Sequence, residues 1–597
     1  MRTRNHFDPQ SVVLPMPRLP VVAMLLFGLA LVPHVAGAQA TSDSSLVGLW
    51  TAKKYFGPYV RGRLVVDRRG GEWRAEIAGR SAPVRTVGDT VSFALPGGAG
   101  SFTGRFDSRR STIAGQWVQP PTVAAGGRFA TPLALTSCGA NCFAGDVVPL
   151  DDQFTFYLRV TRRSDGSLAA FLRNPERNLG RFLRPERLDT ANGAVRLLNA
   201  GGDTVASGFM RGDVLSLFIE GRGGSYDFHR VPPDSFSDFY PRGRPSVRYS
   251  YEPPRALPDG WKVGSLEQVG LSRAKITELM QILSDAASDS MNNYRLHGLL
   301  IARHGILVVE EYFFGEYADK PHDTRSGSKS VLNVLIGAAM QAGLPVSPSL
   351  PVYATMGDSA VADPRKRALT VEHLINMASG LDCDDGAPDP QPPGSEDVLT
   401  QQDTNPDWYR MILGLKMVRD PGSQAVYCSI NPHLAGGVVA RATHRALPDL
   451  IWELVGRPLD MQHYYVLLAP LGEGYMGGGM RFRPRDYMKL AQLYLNGGTW
   501  NGRRIVSADW VRRSTEPRYS IGSTKNNYGH LWWMGDYPYR GRTVRYYFAA
   551  GNGGQISLAI PELDLVVAAL GGNYADRSAQ TTTRELIPQY VLPAIER

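Results

Sequence analysis

Between residues 42 and 232 apolar and polar positions alternate in short runs such as GRLVVD, TVSFAL, FTFYLRV and VLSLFIE, separated by Gly, Asp and Asn turns. A period of two over runs of this length predicts half-buried β-strands. GRLVVDRRGGEWRAEIAG is echoed by FYLRVTRRSDGSLAAFLRN, and GDTVSFAL by GDVLSLFI. The region 41–238 is therefore expected to be an all-β tandem repeat, either two small sheets or one barrel. A sandwich or a lipocalin-like barrel fits, because stacking or closing sheets protects their edges. No catalytic spacing occurs in it.

The stretch 240–261, YPRGRPSVRYSYEPPRALPDGW, is rich in Pro, Gly and Arg and reads as a linker over 239–261. Beyond it the period changes. LSRAKITELMQILSDAAS has helical spacing, and GLLIARHGILVVEEYFFG reads as two strands around a turn at His304 and Gly305. Helical stretches follow around Ser326, Val371, Asp486 and Ser507. VRYYFAAG and QISLAIPELDLVVAAL then read as strands, and a closing helix starts at Thr581. Strands at both ends with helices between predict an α+β domain over 262–597, its mixed sheet assembled from both termini.

At the N-terminus VVAMLLFGLALV (21–32) follows Arg2, Arg4 and Arg18 and precedes VAGAQA, with small residues at Ala36 and Ala38. This is the layout of a bacterial signal peptide, residues 1–38, starting at Met1 or Met16, and it implies a periplasmic or extracellular protein. The apolar run is short for a membrane span, so no stable span is expected after cleavage; an uncleaved anchor is the alternative. An exported chain with four cysteines permits two disulfides. Cys138 and Cys142, in SCGANC, could close a tight loop or form half of a zinc site, although no second ligand pair lies nearby; Cys383 and Cys428 are left by elimination. The net charge of +9 comes from a chain with 55 Arg among 65 basic residues, scattered and without aromatic interleaving, which points to a solvated basic surface and not to nucleic-acid binding.

The chemistry concentrates in RSGSKSVLNVLIGAAMQAG, residues 325–343. Ser326 and Lys329, three apart, share one helix face. The helix is apolar from Val331 to Ala342 and ends at Gly343, so it should be buried. Loss of hydration and the positive helix end are both expected to lower the Lys329 pKa, leaving a neutral amine beside a serine hydroxyl. Ser-x-x-Lys recurs at Ser272 and Lys275, where the Ser reads as an N-cap and the Lys as solvated. An N-cap is the alternative for Ser326 as well.

HGLLIARHGILVVEEYFFG, TRSGSKSVLNVLIG, LTVEHLINMASGLDCDD, PGSQAVYCSINPHLAGGVVARAT, GGGMRFRPRDYMKLAQLYLNGGTWNGRRIVS and FAAGNGGQISLAIPELDLVV occur in that order. Through them the chain from Leu257 onward resembles serine hydrolases of the class C β-lactamase and penicillin-binding type, above all the branch of esterases and aminohexanoate-dimer hydrolases. The resemblance implies a mostly antiparallel sheet flanked by helices, with a helical subdomain. It implies a nucleophile at Ser326, its lysine at Lys329, and a second-motif tyrosine at Tyr427 in Tyr427-Cys428-Ser429. Ser429 and Asn431 offer a Ser-x-Asn alternative. It also implies an oxyanion hole from the backbone N–H groups of Ser326 and Asn552, with Gly551 and Gly553 keeping the backbone open.

Where the family's third motif carries Lys-Thr-Gly or His-x-Gly, this chain reads Ala549-Ala550-Gly551. The missing cation would help hold a penicillin carboxylate, so the expectation moves to an ester, an amide or a short peptide; Arg542 and Arg545 could compensate. His530 and Trp532, in YGHLWWMGDYPY (528–539), either line the pocket or pack in the core. No metal or organic cofactor is implied. The alternatives are a β-lactamase, a D-amino-acid peptidase or transpeptidase, and an inactive exported binding protein. Gly-x-Ser-x-Gly and His-Glu-x-x-His, the marks of other hydrolase classes, are absent from the sequence.

Overall fold

The computed structural model describes residues 45–596 apart from 58, 177–182, 192, 221, 290–294, 403, 524–526 and 575–576. The predicted signal peptide lies outside the described residues. Two compact units result: one from the chain up to residue 56 and from 153–239, the other from 57–152, 240–287 and 292–597. The stretch 41–238 therefore contributes to both.

The first unit is a closed barrel of eight strands. Gly48–Tyr55 closes it, pairing antiparallel with Gln153–Arg162 from Gly48↔Val160 to Tyr55↔Gln153 and, on its other edge, placing Trp50 opposite Arg230. Phe156, Leu158 and Val160 alternate into the interior. Its first strand is separated in sequence from the rest by a complete sheet, because a barrel removes its edges only when both find partners.

That intervening sheet opens the second unit. Its strands between Gly62 and Val147 include the hairpin Gly62–Arg69 and Glu72–Ile77, the counterpart of the hairpin Gln153–Arg162 and Leu168–Arg173 in the barrel. The echoed sequences thus fold alike but serve different sheets. This one is not closed, and it takes a further strand from far along the chain: Val466–Leu468 pairs with Arg128–Gly139 through Val466↔Ala130 and Leu468↔Arg128. Gln116 Nε2 donates to the Pro448 carbonyl at 3.1 Å and Tyr465 to the Val148 carbonyl at 2.9 Å.

A third large sheet has eight strands in the order Lys262–Val263, Ile306–Tyr312, Leu296–Arg303, Leu565–Gly571, Gln555–Ile560, Arg542–Gly551, Trp532–Tyr539, Tyr528–Gly529. Only the first pair is parallel. As predicted, both ends of the α+β region supply strands to one mixed sheet. Helices cover both faces, which explains its unbroken apolar runs. Leu299 and Ile301 pack with Ile276, Leu279, Leu586 and Ile587 on one side, and Leu300 and Ala302 belong with Leu335, Leu490 and Leu493 to the core on the other. Residues 240–261 form no helix or strand, yet they are fastened along the sheet. Tyr251 donates to the Val308 carbonyl at 2.8 Å, and the buried Arg485 bridges Asp259 at 3.2 Å and Glu310 at 2.8 Å.

Both cysteine pairs are disulfides, Cys138–Cys142 and Cys383–Cys428. Ser272 occupies the N-cap of Arg273–Ser284, but its side chain does not cap; Lys275 pairs with Glu278 at the surface. Among the described residues no helix is long and apolar enough to cross a membrane.

Lys329–Gln341 is buried almost throughout, and Gly337 lets the Trp510 ring lie against its backbone. Trp510 donates from Nε1 to the Asn333 carbonyl at 3.0 Å. Gly343, at φ +72°, ends the helix in the left-handed conformation. We predict that Leu335→Ala, at a fully buried position of this helix, lowers stability by about 2–5 kcal/mol. Differential scanning calorimetry would show the loss as a lowered midpoint for the unit carrying this helix, with the barrel transition unmoved.

Candidate active site

The site forms where a tight turn, Arg325–Ser328, runs into the buried helix Lys329–Gln341. Ser328 is the N-cap and bonds the Arg325 carbonyl at 2.7 Å, so Ser326 is free of the capping role. Arg325 sits at φ +48°, a left-handed conformation that costs a non-glycine residue energy. It is held there by Asp323, which accepts from the Arg325 amide at 3.0 Å and pairs with its guanidinium at 3.3 Å.

Lys329 is 2% exposed, and its Nζ lies 2.9 Å from Ser326 Oγ, 2.9 Å from Ser429 Oγ, and in hydrogen-bond contact with the Gly477 carbonyl. Tyr427 places its ring centroid 5.1 Å from Nζ. Ser326, Lys329, Tyr427 and Ser429 therefore lie close together at the start of the buried helix. The expected fall in the Lys329 pKa does not occur. Burial pulls it down, but the charge Tyr427 carries when ionised, together with Glu396 and Asp385, outweighs burial and holds it above the ordinary lysine value. Each of the three N–H bonds of a Lys329 ammonium has an acceptor.

Sequence reasoning missed the two carboxylates. Asp385 accepts from the Ser429 amide at 2.7 Å and the Glu396 amide at 2.8 Å. Glu396 accepts from Ser429 Oγ at 3.1 Å and Tyr475 at 2.5 Å. Burial, then the neighbouring Glu396 charge, push Asp385 up to about 6, against the pull of Lys329. One sequence signal for Asp385 existed: it stands two residues from Cys383, whose partner Cys428 lies between Tyr427 and Ser429. Glu396, which opens the short helix Glu396–Gln401 after a Pro- and Gly-rich stretch, had none.

The strand Arg542–Gly551 brings the altered third motif against the Ser326 turn. A Cβ on Gly551 would lie 2.1 Å from the Thr324 carbonyl oxygen and 3.1 Å from the Gly327 amide nitrogen, so only glycine permits this approach. Gly553 is at φ +96°, where a side chain would be strained. Gly478, in the glycine run that supplies the Gly477 carbonyl, has its Cβ position 3.6 Å from the Ser326 amide nitrogen. Asn552 follows Gly551 at the end of that strand.

Arg542 and Arg545 do not make up for the missing cation. They lie nine and six residues back along this strand, roughly 30 and 20 Å from Gly551 at the usual rise. Arg542 lines a groove of about 380 Å³ with Arg303, Arg540 and Glu562, and Arg545 pairs with Asp536.

His530 and Trp532 are engaged elsewhere. His530 bonds Glu372 at 3.0 Å and stacks on Trp510, and Trp532 donates to Asn333 at 3.1 Å and packs on Tyr494 in the core. The strand alternation sends the next residue the other way, so Trp533 stacks on Tyr427 at 5.6 Å, with Tyr528 edge-on to both. Asn431 is buried, its Nδ2 3.9 Å from Met377 Sδ and its Oδ1 unpartnered.

The family model for Beta-lactamase matches residues 273–583. The chain belongs to the beta-lactamase family. It is a serine hydrolase of that family. A 6-aminohexanoate-dimer hydrolase of Paenarthrobacter ureafaciens is 24% identical over 280 residues, spanning 43% of this chain and 67% of that protein. Among solved structures, a penicillin-binding protein homolog from Caulobacter crescentus is 16% identical with a TM-score of 0.40, covering 55% of this chain and 97% of its own. A D-stereospecific amidohydrolase from Streptomyces sp. is 15% identical with a TM-score of 0.38, covering 49% and 94%.

Gly551→Ala should move the strand off the Ser326 turn and lower turnover by about 10²-fold while the protein stays folded. Steady-state kinetics on a chromogenic ester, with circular dichroism as the folding control, would measure it.

Proposed function

We propose that the protein is an exported hydrolase that cleaves an ester or amide through a covalent acyl-enzyme on Ser326. The observation that carries this reading is the 2.9 Å contact between Ser326 Oγ and a buried Lys329. The hydroxyl attacks the substrate carbonyl, and Lys329 and Tyr427 move its proton to the leaving group. The backbone N–H groups of Ser326 and Asn552 stabilise the oxyanion, and water then releases the acyl group. The absence of Lys or His at 549–551, and the distance of Arg542 and Arg545, favour a substrate without a carboxylate next to the scissile bond. The amide cleaved by the Paenarthrobacter relative supports small amides within the range. Two disulfides support export, since such bonds persist in oxidising compartments.

Intact mass and peptide mapping after treatment with a fluorophosphonate should find one adduct, on Ser326. Ser326→Ala should remove both the adduct and all turnover while the thermal midpoint is kept. A fully active Ser326→Ala protein would overturn the reading. The secreted protein, sequenced from its N-terminus, should begin near residue 39; a chain retaining residues 21–32 would speak for an anchor.

A further inference from the structure

An ammonium at Lys329 has no lone pair with which to take a proton. Its three N–H bonds point at Ser326 Oγ, Ser429 Oγ and the Gly477 carbonyl. It can receive the Ser326 proton only after it has passed one of its own onward. The Gly477 carbonyl cannot take it, and Ser429 can do so only if its own proton has a destination. That destination is 3.1 Å away, at Glu396 Oε2.

We propose that Glu396 is a positioning residue of the reaction: it aims the Ser429 hydroxyl and closes a path from Ser326 Oγ through Lys329 Nζ and Ser429 Oγ to Glu396 Oε2, along which the nucleophile's proton leaves. The inference rests on the Ser326 acyl-enzyme reading above. Lys329 first gives its proton to Ser429, whose own proton goes to Glu396. The neutral amine turns about its Cε–Nζ bond and takes the Ser326 proton as Ser326 Oγ bonds the carbonyl carbon and the carbonyl π pair moves to oxygen. Lys329 ends as an ammonium and Glu396 becomes a carboxylic acid. When the carbonyl re-forms and the bond to the leaving group breaks, the same chain runs in reverse. Lys329 and Tyr427 then deliver the proton to the departing oxygen or nitrogen.

The surroundings suit this role. Tyr475 fixes Glu396 Oε1 at 2.5 Å, leaving Oε2 for Ser429. Asp385 fixes the start of the Glu396 helix and the Ser429 amide, and the Cys383–Cys428 disulfide ties the two segments together. The charged and titratable groups acting with Glu396 are Lys329 from the buried helix, Arg325 from the turn before it, Asp385 from the disulfide loop, and Tyr475 from the segment before Gly477. Tyr427 lies beyond Lys329.

The test is the second-order rate of Ser326 phosphonylation by a fluorophosphonate, followed from acid to alkaline pH in the full chain. Wild type should slow on the acid side as Asp385, raised to about 6, takes up a proton. Glu396→Gln should react about 10²-fold more slowly at neutral pH. Its acid limb should move to lower pH, because Asp385 loses the like charge that pushes it up. Glu396→Asp should recover part of the rate. A purely structural role would slow the reaction without moving the limb.

A Glu396→Gln rate within about twofold of wild type, or an unmoved limb, overturns the proposal. If that variant does not fold, Ser429→Ala cuts the same path, and a wild-type rate there overturns it equally. Absence of any Ser326 adduct in wild type would instead remove the acyl-enzyme reading, and this inference with it.

Discussion

The structure turns on one buried cation. A lysine ammonium out of water is costly unless charges and acceptors replace its hydration, and removing one of its partners is worse than never having buried it. Lys329 can sit at the start of a helix sunk in the core only because Ser326, Ser429 and the Gly477 carbonyl surround its nitrogen and two carboxylates stand behind them. Each partner comes from a different part of the chain. The disulfide loop, the helix after Cys428, the glycine run before Met480 and the final strand pair must all arrive for the charge to be tolerated. The fold and the site are then the same constraint seen at two scales.

This makes the chemistry different from the one a neutral amine would give. A buried lysine without carboxylates would lose its proton and act as the base itself. Here Tyr427 when ionised, Glu396 and Asp385 act against burial and hold the lysine pKa up. At the third motif Gly551 serves the site by its lack of a side chain.

The two β-structures before the hydrolase region treat their edges differently. The open sheet borrows Val466–Leu468 and so is continuous in hydrogen bonding with the chain that carries Gly477 and Gly478 a few residues later. The barrel closes on itself through Gly48–Tyr55. The hairpins that echo each other in sequence thus stand in one sheet that stays open and one that closes.

The alternation of the strands, the burial of Lys329–Gln341, the pairing of Ser326 with Lys329, and the assembly of one sheet from both ends of the hydrolase region were legible in the sequence. The first three depend on residues close together along the chain, where periodicity and spacing act directly, and the last on strand patterns readable at each end. What only the tertiary structure decided depends on segments that meet from a distance. It decided which of two adjacent tryptophans faces the site, since strand register and not composition puts Trp532 in the core and Trp533 on Tyr427. It decided that Arg542 and Arg545 lie far from the third motif. It decided the direction of the Lys329 pKa shift, because that is set against burial by Tyr427, Glu396 and Asp385, which stand 98, 67 and 56 positions further along the chain and reach the lysine only after folding.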